Sequence, residues 1–159
     1  MTTIDPRQME IRPLCEEDYE AIVEIDTRAA GRPRHEYIGR KFEHAIQSAG
    51  QLGTSYVAVH DRRVIGFVMG AVYLGEYGIP ADTATIDTIG VHPDAEGSGV
   101  ARELMQEFIS HCQAAGVRQI HTLVDWTEEP LLRFFDHMGF APARTLCLEM
   151  KLPVDKSET

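Results

Sequence analysis

The chain has 159 residues, 43% hydrophobic and 25% charged, a composition that suits one globular domain with room for a proper core. A formal net charge of −10 counts against nucleic-acid binding, which needs clustered Lys and Arg to neutralise phosphates. No apolar run reaches the length of a bilayer span, and the opening MTTIDPRQMEIRP lacks the basic-then-apolar order of a secretory signal, so the expected compartment is the cytoplasm.

In chain order, MEIRPL (9–14) alternates like a short strand. CEEDYEAIVEIDTRAA then reads as a helix with acidic residues in its first turn and Ile22, Val23 and Ile25 on its apolar side. After the break at Gly31–Pro33, HEYIGRKFEHAIQSA forms a second helix that Gly50 is expected to stop. SYVAVH (55–60) and VIGFVMGAVYL (64–74) make a hairpin turning at Asp61 and Arg62. GEYGIPADT is a loop, and ATIDTIGV (84–91) is a buried strand. From Ser98 onward Ala101, Leu104, Met105, Phe108, Cys112 and Ala115 recur at helical spacing until Gly116. QIHTLV (119–124) is the next strand, so strand, loop, helix and strand form a right-handed βαβ unit. EPLLRFFDHM is a short helix closed by Gly139, FAPARTLCLEMKL is read as the last strand, and the core spans about 9–152 with 153–159 as a tail.

Chemistry concentrates between the buried strand and the helix that follows, in VHPDAEGSGVARELM. A glycine loop that opens a helix aims backbone N–H groups at whatever lies above the strand end, and that place favours an anion. A Walker loop is excluded because no Lys and hydroxyl pair stands at the required spacing. A dinucleotide fingerprint matches at Gly97 and Gly99 and fails at Arg102. Cys15, Cys112 and Cys147 form no CxxC pair, and His111 and Cys112 point different ways on a helix, so neither disulfide framework nor metal site is expected.

The segment resembles motif A of the GNAT superfamily of acetyl-CoA-dependent N-acetyltransferases, in which V-x-P is followed by [QR]-x-x-G-x-[GA] and a helix. Val91, Pro93, Gly99 and Ala101 match, and Gly139–Phe140 match the end of the family's second signature. The resemblance implies an α/β fold: a mixed, mostly antiparallel twisted sheet flanked by helices around a central βαβ unit, in a single domain over 1–159. It also implies acetyl-CoA as cosubstrate. Its pyrophosphate would rest on amides from Gly97, Ser98, Gly99, Val100, Ala101 and Arg102, and its pantetheine arm along the main chain of Ile89, Gly90 and Val91.

Three positions depart from the family pattern. Glu96 stands where Gln or Arg is usual, Phe135 where a tyrosine often protonates the departing thiolate, and Glu128 where an asparagine often contacts the cofactor. The usual strand glutamate is replaced by Thr85. Asp87, two residues on and facing the same side of an unbroken strand, is either the base or a structural residue. Asp125, after the next strand and beside Trp126, is the second candidate; Tyr73, Glu76 and Tyr77 are weaker ones, and His121 reads as an ordinary strand histidine. The implied activity is direct acetyl transfer to an amine, with a cationic acceptor suggested by the acidic charge; a homodimer is compatible with it. The rival is a CoA-binding sensor without turnover, and Phe135 motivates it.

Overall fold

The computed structural model describes residues 4–52, 54–73 and 82–154. Its elements are β1 (Glu10–Pro13), α1 (Tyr19–Ala30), α2 (His35–Leu52), β2 (Tyr56–His60), β3 (Arg63–Tyr73), β4 (Thr83–Val91), α3 (Val100–Ala114), β5 (Gln119–Thr122) and α4 (Glu129–His137). The five strands lie in chain order in one sheet, antiparallel except for the parallel pair β4–β5 that α3 connects. Asp61 and Arg62 turn the β2–β3 hairpin with φ of 49° and 62°, a left-handed pair whose twist matches that of the strands. The chain divides into two compact units, Met1–Asp125 and Trp126–Thr159.

In the first unit the two sheet faces are covered differently. Val57, Phe67 and Met69 join Ile22 and Ile25 of α1 and Ile38 and Phe42 of α2 in one buried cluster. The other face receives α3, and glycines on β3 set how closely it approaches. A Cβ on Gly66 would lie 2.7 Å from Val100 Cγ1, and one on Gly70 would lie 2.5 Å from Phe108 Cε2. α3 buries Leu104, Met105 and Phe108 completely, each contributing about 1.5–3 kcal/mol over an exposed side chain. At the N-terminal edge, Arg12 makes two hydrogen bonds to the buried Asp18 (2.8 and 2.9 Å). Burial works to raise the Asp18 carboxyl, but Arg12 and the Cys15 N–H outweigh it and hold it below its ordinary value.

The β3–β4 ladder slips once. Met69 pairs with Thr88 and Gly70 with Ile86, which leaves Asp87 as the extra residue of a β-bulge. The Gly70 N–H donates to Ser55 Oγ (3.3 Å), and Thr54 Oγ1 donates to the Gly70 carbonyl (2.8 Å). These bonds anchor β3 at the slip.

In the second unit α4 ends in a tight stop: Gly139 has φ 96°, and the Phe140 N–H donates to the Phe135 carbonyl (2.9 Å). Phe135 is buried, edge-on to Phe134 and Phe140 at 5.3 and 5.0 Å between centroids.

One expectation needs correction. α2 does not stop at Gly50 but runs through it to Leu52. A helical glycine costs only about 1 kcal/mol against alanine, and Ile38, Phe42 and Ala45 already tie this helix to the sheet. Over FAPARTLCLEMKL the second unit, described by itself, carries no assigned strand. An alternating pattern makes a strand only when a neighbour takes up its N–H and C=O groups.

Candidate active site

β4 leads straight into the glycine loop, and a buried histidine between them sets the angle. His92, 2% exposed, donates its backbone N–H to the Ile65 carbonyl (2.8 Å) and accepts the Asp94 N–H at Nδ1 (3.1 Å). A short 3-10 turn, Pro93–Ala95, follows, and then Gly97 and Gly99 at φ 77° and 81°. No atom lies within 4 Å of a Cβ built on either glycine, so left-handed backbone and not crowding is what calls for glycine there.

Gly99 is the N-cap of α3 and supplies no side chain to satisfy the helix's first amides. The Glu96 and Ser98 N–H groups are spent in turns to Pro93 and Ala95 carbonyls, both at 3.3 Å. Among the described residues, the N–H groups of Gly97, Gly99, Val100, Ala101 and Arg102 have no backbone partner outside the helix, and an α-helix leaves its own first N–H groups unpaired. The amides predicted to meet an anion are thus present, with Ser98 already engaged. The side chains of Glu96 and Arg102 are exposed. Together the uncapped amides and the helix dipole suit a pyrophosphate.

A second feature lies just before the loop. β5 pairs with β4 only from Thr83–Gln119 to Ile86–Thr122, where Thr122 Oγ1 donates to the Ile86 carbonyl (3.1 Å). Beyond that rung β4 continues to Val91, paired with β3 alone among the described residues. Ile89, Gly90 and Val91 therefore present an open strand edge that runs into the amide-rich loop. Such an edge suits an extended amide-bearing chain, which adds to it as a strand would.

Asp87 lies where this open edge begins. Parity along an unbroken strand placed it beside Thr85; the bulge breaks that parity. What orients Asp87 instead is α2: Lys41 Nζ lies 3.5 Å from its Oδ2. Next to it, the Tyr37 hydroxyl lies 3.5 Å from Thr88 Oγ1. The Tyr37 ring sits under the Arg34 guanidinium (5.0 Å) and near the Lys41 ammonium (5.9 Å). Arg34 is held in turn by the buried Asp26, its Nε donating to Oδ2 (3.0 Å). Thr85 Oγ1, at the family's usual base position, is buried with no hydrogen-bond partner among the described residues. Neither Lys41, Tyr37 nor His92 was singled out from the sequence. His92 is flanked by the matching Val91 and Pro93, a visible signal; α2 is remote in sequence and offers none.

The remaining candidates lie elsewhere. Asp125 is exposed, just beyond β5. Glu128 belongs to the second unit, where it precedes α4 with an exposed side chain. Glu76 and Tyr77 lie outside the described residues. Burial pushes the Cys112 thiol up to about 11 and also raises Cys15, so neither is poised as a thiolate nucleophile. No group of three or more His, Cys, Asp or Glu is arranged to hold a metal among the described residues.

The family model for the acetyltransferase (GNAT) family matches residues 19–140, and the chain belongs to that family. That family is one of acetyltransferases that use acetyl-CoA. Mycothiol acetyltransferase of Actinosynnema mirum is 32% identical over 53 residues, covering 33% of this chain and 18% of that protein. The chain therefore matches only a small part of that relative's length. Ribosomal-protein-S18-alanine N-acetyltransferase from Escherichia coli superposes with a TM-score of 0.70 at 23% identity, over 85% of this chain and 79% of that one. PaiA N-acetyltransferase from Thermoplasma acidophilum, in complex with coenzyme A, gives 0.67 at 20% identity, over 86% and 92%. These two likenesses establish the fold.

Proposed function

We propose that the chain moves the acetyl group of acetyl-CoA to a primary amine by direct attack within a ternary complex. The observation that carries this reading is the open edge of β4 running into the uncapped amides at Gly97 and Gly99–Arg102. The cosubstrate supplies an activated acetyl thioester. The chain supplies the rest. Loop amides hold the pyrophosphate, and main chain at Ile89–Val91 aligns the pantetheine arm and donates toward the acetyl carbonyl. Asp87 accepts the proton of the incoming ammonium, directly or through water, so that the amine reaches the thioester neutral. Attack leaves a second proton on the acylated nitrogen; Phe135 has none to give, so that proton passes through water to the departing thiolate as the C–S bond breaks. The raised thiols of Cys15 and Cys112 argue against a covalent acyl-enzyme.

The acceptor is a cationic amine, supported by the net charge of −10. Its ammonium meets Asp87 in competition with Lys41, which already lies 3.5 Å away. No helix among the described residues is long and apolar enough to cross a membrane.

Two measurements test the reading. A thermal-shift series should show stabilisation by acetyl-CoA and not by NAD or ATP; no shift with acetyl-CoA would remove the cofactor site. Coenzyme A release across a panel of peptide, polyamine, amino-acid and aminoglycoside amines should reveal turnover. Stabilisation without turnover on any of them would mark a CoA-binding sensor instead.

A further inference from the structure

His92 sits between β4 and the glycine loop, and its surroundings ask for more than a neutral ring can give. Its side chain is buried. At Nδ1 it faces the Asp94 N–H (3.1 Å), an amide of the Pro93–Ala95 turn. At Nε2 it faces Arg63 Nη2 of β3 (2.8 Å). A guanidinium and a main-chain amide can only donate, whereas a neutral imidazole has one accepting nitrogen and one N–H. One of the two contacts must therefore yield. The Asp94 amide is fixed in the turn, while the Arg63 side chain is half-exposed and has the Asp94 carboxylate 3.9 Å away. Two carboxylates face the ring as well: Glu24 of α1, 3.8 Å from Nε2, and Asp94, 3.6 Å from Nδ1. Glu24 also pairs with Arg28 one turn along α1 (3.2 Å).

We propose that His92 is a positioning residue of the acetyl-CoA loop, and that its proton count sets how firmly the loop holds the pyrophosphate. This rests on the reading that the amides at Gly97 and Gly99–Arg102 take that group. In the neutral ring the proton sits on Nε2, toward Glu24, and Nδ1 holds the Asp94 amide, so the turn leading to Gly97 is fixed. A second proton goes to Nδ1. It meets the Asp94 N–H head-on, breaks that bond and leaves the ring facing the Asp94 and Glu24 carboxylates, so the turn loses its anchor. The new charge lies between those two carboxylates and adds little attraction for a phosphate. Imidazole changes charge between about pH 5 and 8, so acetyl-CoA binding weakens as pH falls through that range.

Calorimetry of acetyl-CoA binding from about pH 8 down to about pH 5 should show affinity falling by about two- to tenfold, the range of one lost hydrogen bond. His92→Asn puts an oxygen acceptor where Nδ1 stands and cannot titrate, so its profile should be flatter by that factor. Arg63→Gln removes the cation beside Nε2 and should move the inflection to higher pH. Glu24→Gln removes an anion and should move it to lower pH. A histidine that only filled space would give none of these shifts. Nitrogen NMR of the unliganded wild-type chain needs neither variant nor cofactor. At the alkaline end it should show a protonated Nε2 and an accepting Nδ1. Acidification should then protonate Nδ1 while the Asp94 amide loses protection from exchange. The same pH profile in wild type and His92→Asn overturns the proposal, as does a ring that keeps its Nε2 tautomer throughout the titration. No acetyl-CoA binding at any pH removes the cofactor reading instead, and the NMR titration then still decides whether the ring governs the turn.

Discussion

The glycine loop and the Asp87 corner adjoin along β4 but hold their chemistry in different ways. In the proposed reaction the loop binds through main chain: its donors are amides at Gly97 and Gly99–Arg102, and two positive-φ glycines with the buried His92 fix where they point. The Asp87 corner works through side chains brought from a distant helix: Lys41 on the carboxylate and Tyr37 on Thr88. A main-chain site tolerates changes of side chain and fails when the backbone conformation is lost. A side-chain site does the opposite. On that reading an acidic protein can hold an acidic cofactor, and Glu96 is compatible with the loop: the proposed donors are amides, and the Glu96 side chain is exposed.

The contrast is broken most severely at Asp87. Asp87→Asn keeps size and most hydrogen bonding but removes the proton acceptor. It should lower kcat/KM for the amine by about ten- to a thousandfold, the range of general-base removal, with the dissociation constant of acetyl-CoA unchanged. Steady-state kinetics and calorimetry together decide it; full activity would move the base to another residue, with Asp125 next to be tried. Gly99→Val is the converse experiment. A β-branched residue at φ 81° carries strain of about 1–3 kcal/mol, so acetyl-CoA affinity should fall by about 5- to 150-fold. Calorimetric binding within twofold of wild type would show that the loop does not carry the cofactor.

Smaller effects sharpen the comparison. In the proposed reaction Lys41 shares Asp87 with the acceptor; it is partly exposed, so the pair is worth at most about 1 kcal/mol. Lys41→Ala should therefore lower KM for a cationic amine by up to about fivefold while leaving acetyl-CoA binding alone. A collapse of kcat instead would make Lys41 the residue that positions Asp87. Glu96→Arg adds a donor beside the loop, at an exposed position where salt screens it. Acetyl-CoA should bind about two- to threefold more tightly at low ionic strength, and the gain should vanish at high salt. An equal gain at both would mean a direct, desolvated contact.

What the residues alone determined is what depends on local spacing and local conformation. Period-two and helical patterns placed the five strands and four helices of the described residues to within a few positions, and the order strand, glycine loop, helix, strand announced the parallel β4–α3–β5 unit. Gly97 and Gly99 were legible because a left-handed backbone leaves its mark at the residue that adopts it. Tertiary structure alone decided the rest. The bulge at Asp87 follows from how β3 and β4 pair beneath α3, so strand parity could not reveal it. Lys41 reaches Asp87 only because α2 lies across the sheet, far from β4 in sequence. α2 continues through Gly50 because its apolar residues are already held by the core. The C-terminal arm alternates like a strand, but a strand is a relation between two backbones, and the sequence of one segment specifies only half of it.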